Sequence, residues 1–441
     1  MKQKPISFKI HILTFGCSLN ISDSEVMAGL LVKAGFKLVD SVDDADLVIV
    51  NSCTVKDKTE KNFWRLLKLL ESKKKKIVVT GCIAQTDPEK LTSYSLVGTT
   101  QLCNIVDAVK QTINKKNVKY IKRSKTTPRL NLPKVRKNPV VEIIPISQGC
   151  LGSCTYCKTK AARFDLVSYR IDEILCQAKE AINSGVKEIW LTSQDNAVYG
   201  LDKGITLVDL LKELVKLNGD FKIRVGIGNP NHLSKIIGKL LPLFKSEKLF
   251  IFLHIPVQSG NNKILNAMNR KYSVEDFTKL IKKIRTAYSD MTLSTDIIIG
   301  FPGETEQQFM DSVNLVKKIK PDVLNMSKYS ARPKTLAARM PQIHGRIIKQ
   351  RSTLLAKEFY GIAVQQHRRW LGWKGNIIID EVGKEGTDTF VGRNYAYKPV
   401  IVKKKLGEKK GSKQKKQVKL GDIIKVKITE TTRNDLRGLV C

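Results

Sequence analysis

The chain has no uninterrupted apolar run long enough to cross a bilayer. Nothing near its start reads as a signal peptide, because the basic residues 1–9 lead into a strand pattern and not an apolar core. A soluble, cytoplasmic protein with no membrane partner is expected. Acidic residues are also scarce. Asp and Glu number 41 against 78 Lys and Arg, a formal net charge of +37. Such an imbalance points to a polyanionic partner, nucleic acid first, or to a lysine-rich surface with no partner at all. Nine cysteines are present, but a reducing cytosol argues against a disulfide framework. They read as metal or cluster ligands together with some inert buried thiols.

At 441 residues the chain is too long for one ordinary core. Over 1–114, strand patterns near 8–15, 46–50 and 77–80 alternate with helical ones, as in an open, mostly parallel α/β sheet. Residues 115–138 are basic and polar, with Pro128 and Pro133, and read as a linker. A second alternating series fills 139–371. Its strand candidates begin at Val141, Glu188, Lys222, Leu249, Leu293 and Val323, and a long helix near 347–370 closes it. Repeated β–α units in that number predict a partial barrel. From 372 to 441 the pattern changes to short strands, predicting a small all-β barrel interrupted by the lysine-rich stretch 403–416.

The segment QGCLGSCTYC places Cys150, Cys154 and Cys157 just after a predicted strand. Three thiolates in one tight loop bind three irons of a cubane and leave the fourth iron open for chemistry. Gly149 and Gly152 let the backbone turn closely. The competing assignment is zinc, which needs a fourth ligand. No fourth Cys or His lies nearby, and the next cysteine, Cys176, sits on a predicted helix.

Other polar residues follow the strands. They are Gln194, Asp195 and Asn196; His254, Gln258 and Ser259; and Asp296, Gly300, Gly303 and Glu304. Sites on β/α folds form at C-terminal strand ends, so these residues converge on the cysteine loop in a barrel. Singly each has a bland alternative: Gly300 to Gly303 is a turn, and His254 is a core histidine.

Cys17, Cys53 and Cys82 also follow predicted parallel strands, each at the C-terminal edge. In an open sheet those edges face one crevice, which suits a second cluster. The alternative is three small buried thiols.

The loop QGCLGSCTYC resembles the signature of the radical S-adenosylmethionine (SAM) superfamily. The segments FGCSLNISDSE, NSCTVKDKTE and TGCIAQ resemble the N-terminal domain of methylthiotransferases. With QGCLGSCTYCKTKAAR, LTSQD and HIPVQSG, the chain looks most like the archaeal and eukaryotic branch, the tRNA N6-threonylcarbamoyladenosine methylthiotransferases. VGRNYAYKPVIV and TRNDLRGLV are similar to a TRAM domain, an RNA-binding barrel.

The resemblance implies two 4Fe-4S clusters, one on each triad. SAM serves both as methyl donor and as radical source, and an electron donor supplies reduction. Tyr156 matches the position that packs on the adenine of SAM. Gln194, Asp195, His254, Gln258 and Asp296 are further candidate SAM contacts. The substrate implied is tRNA, modified at C2 of the adenine on the 3′ side of the anticodon. Isopentenyl-adenosine, a ribosomal-protein aspartate, or RNA binding without catalysis are the alternatives. Arg393, Tyr395 and Tyr397 are candidate RNA contacts, by stacking on exposed bases, or else core residues of the small barrel. Cys103, Cys176 and Cys441 have no assigned role. Two positions depart from the family pattern, which has glycine where this chain has Phe164 and Lys334.

Overall fold

The computed structural model describes residues 8–54, 57–404 and 418–441. Most of the lysine-rich stretch, 405–416, therefore lies outside the described residues.

The N-terminal region forms a six-stranded parallel sheet. Its order is Lys37–Leu38, Lys9–Thr14, Leu47–Ser52, Lys76–Thr80, Ser95–Val97 and Lys119–Tyr120. The central strand LVIVNS is buried along its whole length, as a parallel strand covered on both faces must be. Helices bury their apolar stripes on both sides. Met27, Leu31, Ile105 and Val109 pack on one face, and Phe63, Leu67, Leu70 and Ile83 on the other.

The sixth strand lies inside the stretch expected to be a linker. Lys119–Tyr120 carries no apolar alternation and is held by backbone pairing to Leu96 and Val97, so side-chain pattern could not reveal it. The rest of the stretch is a strap. Arg129 reaches back to Asp23, Val135 N donates to Glu25 O at 2.9 Å, and Lys134 and Arg136 reach forward to buried Glu142.

The central region holds six parallel strands in two groups of three. One runs Lys222–Val225, Glu188–Thr192, Val141–Pro145; the other runs Phe252–His254, Thr292–Ile299, Val323–Lys328. The bridge from Ile223 to Leu249 joins the groups. Among the described residues the outermost strands, Val141–Pro145 and Val323–Lys328, do not pair, so the barrel is partial. The long helix Gly345–Arg368 packs on Glu306–Ile319 and the last strand.

The C-terminal region is a closed five-stranded barrel around Ile377, Ile379, Val400, Val426 and Leu436. Alternate burial along Thr389–Arg393 shows the strand period of two. A buried ion pair fastens it to the central region: Lys398 Nζ lies 2.7 Å from Asp322 Oδ1, and Arg285 meets the same carboxylate.

Candidate cluster and cofactor site

Register alone aligns the N-terminal cysteines. Thr14 lies opposite Asn51, and Asn51 opposite Thr80, on three neighbouring strands. Cys17, Cys53 and Cys82 therefore leave the sheet at the same edge. Gly16 shows how tightly the loops meet: its φ is +112°, and a Cβ there would stand 2.8 Å from Cys53 Sγ. Asn20 ties the loops together, donating from Nδ2 to Phe15 O at 2.7 Å and Ser52 O at 2.9 Å. Cys53 and Cys82 are buried, whereas Cys17 is exposed. Burial pushes the Cys82 thiol up, Arg163 opposes that, and Cys17 adds to it, which places all three groups in one neighbourhood. Buried thiols of this kind ionise readily only with a metal to bind them.

The central triad sits in the loop between Ser147–Gln148 and the short helix Thr159–Arg163. Gly149 has φ +76°, and a Cβ there would fall 1.9 Å from Asp165 O, so only glycine closes this turn. Gly149 N donates to Gln194 Oε1 at 2.8 Å, and Cys150 N to Phe164 O at 3.2 Å. Two donors face sulfur: Gly152 N lies 3.2 Å from Cys150 Sγ, and Arg270 Nη1 lies 3.4 Å from Cys154 Sγ. Burial, helped by the Asp195 carboxylate, pushes the Cys150 thiol up to about 11. A positively charged metal group would reverse that cost, and N–H donors to sulfur are what a thiolate-bound cluster needs. Both triads therefore fit iron–sulfur ligation. Among the described residues, no three His, Cys, Asp or Glu side chains close round one point as a single ion requires. A cubane makes no such demand, since each thiolate takes its own iron.

The other predicted residues divide by role. Asp195 is buried; its Oδ1 accepts from Ala197 N at 3.1 Å and Asn229 N at 3.0 Å. Its Oδ2 is buried with no hydrogen-bond partner among the described residues. His254 Nε2 lies 2.8 Å from Asp296 Oδ1, which also accepts from Asn325 Nδ2 at 2.7 Å. This row crosses three adjacent strands. Tyr156 packs edge-on to Phe301 with ring centres 6.3 Å apart. Gln194 holds the cysteine loop, as described. Gln258 takes a left-handed backbone, φ +71°, and pairs with Asp296 and Ile298 through its own backbone.

Some residues serve the scaffold. Asn196 bonds within its own turn, and Ser259 faces Ser312 at 3.4 Å. Glu304 caps Gly300 N at 2.9 Å and pairs with Arg351 at 3.0 Å, anchoring the Gly300–Gly303 turn to the long helix.

The three candidate RNA contacts lie along the seam of the C-terminal barrel. Arg393 pairs with Asp380 at 2.9 Å and covers the Tyr397 ring, while Tyr397 packs on Phe250 and Phe252. Tyr395 donates its hydroxyl to Asp290 at 2.9 Å and packs on Trp370 and Trp373. All three side chains are engaged inside the protein.

Both departures from glycine keep a glycine-like backbone, with φ +65° at Phe164 and +67° at Lys334. Each costs roughly 1–3 kcal/mol. Both side chains make contacts. Arg123 stands over the Phe164 ring at 4.9 Å, and Lys334 Nζ reaches Glu89 at 2.9 Å in the N-terminal region.

The sequence pattern marks none of three buried basic residues. Lys158, beside Cys157, pairs with Asp87 at 2.5 Å across the two regions. Arg270 touches Cys154 sulfur. Arg163 contacts Asn20 and Asp23. A lone Lys or Arg normally marks surface; the one signal that could have found Lys158 and Arg163 is their proximity in sequence to the CxxxCxxC loop.

Comparison with known proteins gives the family. The Uncharacterized protein family UPF0004 matches residues 9–99, and the Radical SAM superfamily matches residues 144–316. The probable threonylcarbamoyladenosine tRNA methylthiotransferase of Pyrococcus horikoshii is 39% identical, over 88% of this chain and 92% of its own length. The threonylcarbamoyladenosine tRNA methylthiotransferase of Homo sapiens is 37% identical, over 98% of this chain and 73% of its own. Among solved structures, the radical SAM methyltransferase TsrM of Kitasatospora setae shares the fold, with TM-score 0.55 over 75% of each chain at 13% identity. With relatives of this identity matched over most of both chains, the chain belongs to the threonylcarbamoyladenosine tRNA methylthiotransferase family of radical SAM proteins.

Proposed function

We propose that the protein transfers a methylthio group to C2 of N6-threonylcarbamoyladenosine, beside the anticodon of tRNA, using a 4Fe-4S cluster on each triad. The observation that carries this reading is the pair of cysteine triads, one aligned by sheet register and one held in a single loop, with the Lys158–Asp87 pair joining the two regions.

A 4Fe-4S cluster with SAM at its open iron supplies one-electron chemistry able to take hydrogen from an unactivated carbon. The chain's own residues prepare that site. Gln194 fixes the cysteine loop through Gly149 N, and Arg270 directs a positive charge at Cys154 sulfur. Asp195 Oδ2 offers an acceptor for an ammonium group such as that of SAM. The His254–Asp296–Asn325 row supplies further polar contacts, and Tyr156 supplies an aromatic face. The net charge of +37 draws in the tRNA backbone without reading its sequence. A reducing partner completes the set of participants.

Mass spectrometry of tRNA incubated with reconstituted protein, SAM and reductant tests the proposal. The methylthio product should appear on tRNA carrying threonylcarbamoyladenosine and not on tRNA carrying only isopentenyl-adenosine. No product from protein with both clusters intact contradicts it.

A further inference from the structure

The N-terminal triad is built from its own sheet, yet one of its neighbours comes from elsewhere. Arg163 ends the helix that follows the central cysteine loop, and it crosses into the N-terminal region. Thr99 Oγ1 donates to Ala162 O at 2.5 Å and pins that helix against the sheet edge. The Arg163 side chain is 1% exposed. Its Nη2 donates to Asn20 Oδ1 at 2.7 Å and to Asp23 Oδ2 at 2.8 Å. Asn20 is the residue that grips the loops carrying Cys17 and Cys53. Of its other two nitrogens, Nη1 is buried with no hydrogen-bond partner among the described residues, and the guanidinium stands beside Cys82.

Charge bookkeeping points the same way. Arg129 and Arg163, both buried, share the single carboxylate of Asp23. One positive charge is left over in a nearly dry environment. An unbalanced buried charge is costly unless something of opposite sign completes it. The group next to it is the Cys82 sulfur of the N-terminal triad, which becomes anionic on binding iron.

We propose that Arg163 is a positioning residue of the N-terminal triad: its buried guanidinium balances the negative charge of the iron–sulfur group held there and directs Nη1 at a sulfur atom of that group. This rests on reading the triad as a cluster site. It also means that the helix following the central loop supplies a charge partner to the other triad, so the two sites share one structural element. A merely structural Arg163 would neutralise Asp23 and leave the properties of the bound group alone.

The test uses the full-length chain carrying Cys154→Ala, so that the N-terminal group alone gives the signal, after anoxic reconstitution with iron and sulfide. Iron content, the EPR spectrum and the reduction midpoint are read with Arg163 intact, with Arg163→Gln and with Arg163→Lys. Removing the cation should move the midpoint to lower potential and alter the EPR signal, and lysine should recover part of the shift. An unchanged midpoint and spectrum in Arg163→Gln overturns the inference. So does equal loss of iron in both variants together with a lowered unfolding temperature, which is the mark of a structural role alone. Absence of iron from the Cys154→Ala parent instead sinks the underlying cluster reading.

Discussion

The two triads reach similar ends by opposite routes. Cys150, Cys154 and Cys157 lie in one loop, so a single glycine turn and a few donors to backbone and sulfur bring them together. Cys17, Cys53 and Cys82 meet only because three strands pair in register. Ordering the first costs the entropy of one short loop, whereas the second depends on the whole N-terminal fold. The cofactor candidates of the central region, Asp195, His254 and Asp296, come from separate strands and the turns that follow them. The N-terminal crevice is surrounded by buried polar groups, Asn20, Asp23, Asn51 and Arg163 among them.

Separating the two sites by single cysteines should have the largest effect. Cys154→Ala should abolish 5′-deoxyadenosine formation. Cys53→Ala should leave it measurable while stopping the methylthio product. Full product from Cys53→Ala would erase the distinction between the sites.

The glycines sharpen the same contrast. Gly149→Ala drives a Cβ to 1.9 Å from Asp165 O, and should cost the central cluster while sparing the N-terminal one. Gly16→Ala, with 2.8 Å to Cys53 Sγ, should do the reverse. EPR of each variant reports which signal remains; loss of both from either substitution would show the sites to be one folding unit.

A smaller effect is expected from the donor on Cys154. Arg270→Met removes it, and losing such a neighbour lowers metal affinity or activity about 10- to 100-fold. Iron retention under chelator and the rate of SAM cleavage measure it. Unchanged values would limit Arg270 to packing.

The smallest effect is a pH dependence in the scaffold of the central site. Burial raises Glu304 from 4.5 to about 7, against the opposing pull of Gly300 N and Arg351. Its folded-state value lies above the unfolded one, so its contribution is full below pH 4.5 and is lost as pH rises through about 7. Glu304→Gln should flatten that part of the curve of unfolding temperature against pH. An unaltered slope would contradict the assignment.

Much of this was readable in the sequence because it is local or periodic. The CxxxCxxC spacing defines the central triad outright, and the six strand candidates of the partial barrel all appear in the structure. The N-terminal cysteines needed one more step, the rule that parallel strand ends share an edge. What escaped depends on tertiary contact. Lys119–Tyr120 pairs through backbone atoms that carry no pattern. Arg163 and Arg270 look like surface cations until the fold buries them. Arg393, Tyr395 and Tyr397 suggest RNA stacking by residue type, but their contacts lie along the barrel seam.

The central claim is two separate three-sulfur sites, and metal counting addresses it most directly. After anoxic reconstitution, the unaltered chain should bind about eight irons with matching acid-labile sulfide, and Cys53→Ala and Cys154→Ala should each bind about four. An unaltered chain that binds about four, or a single variant that loses all its iron, would contradict it.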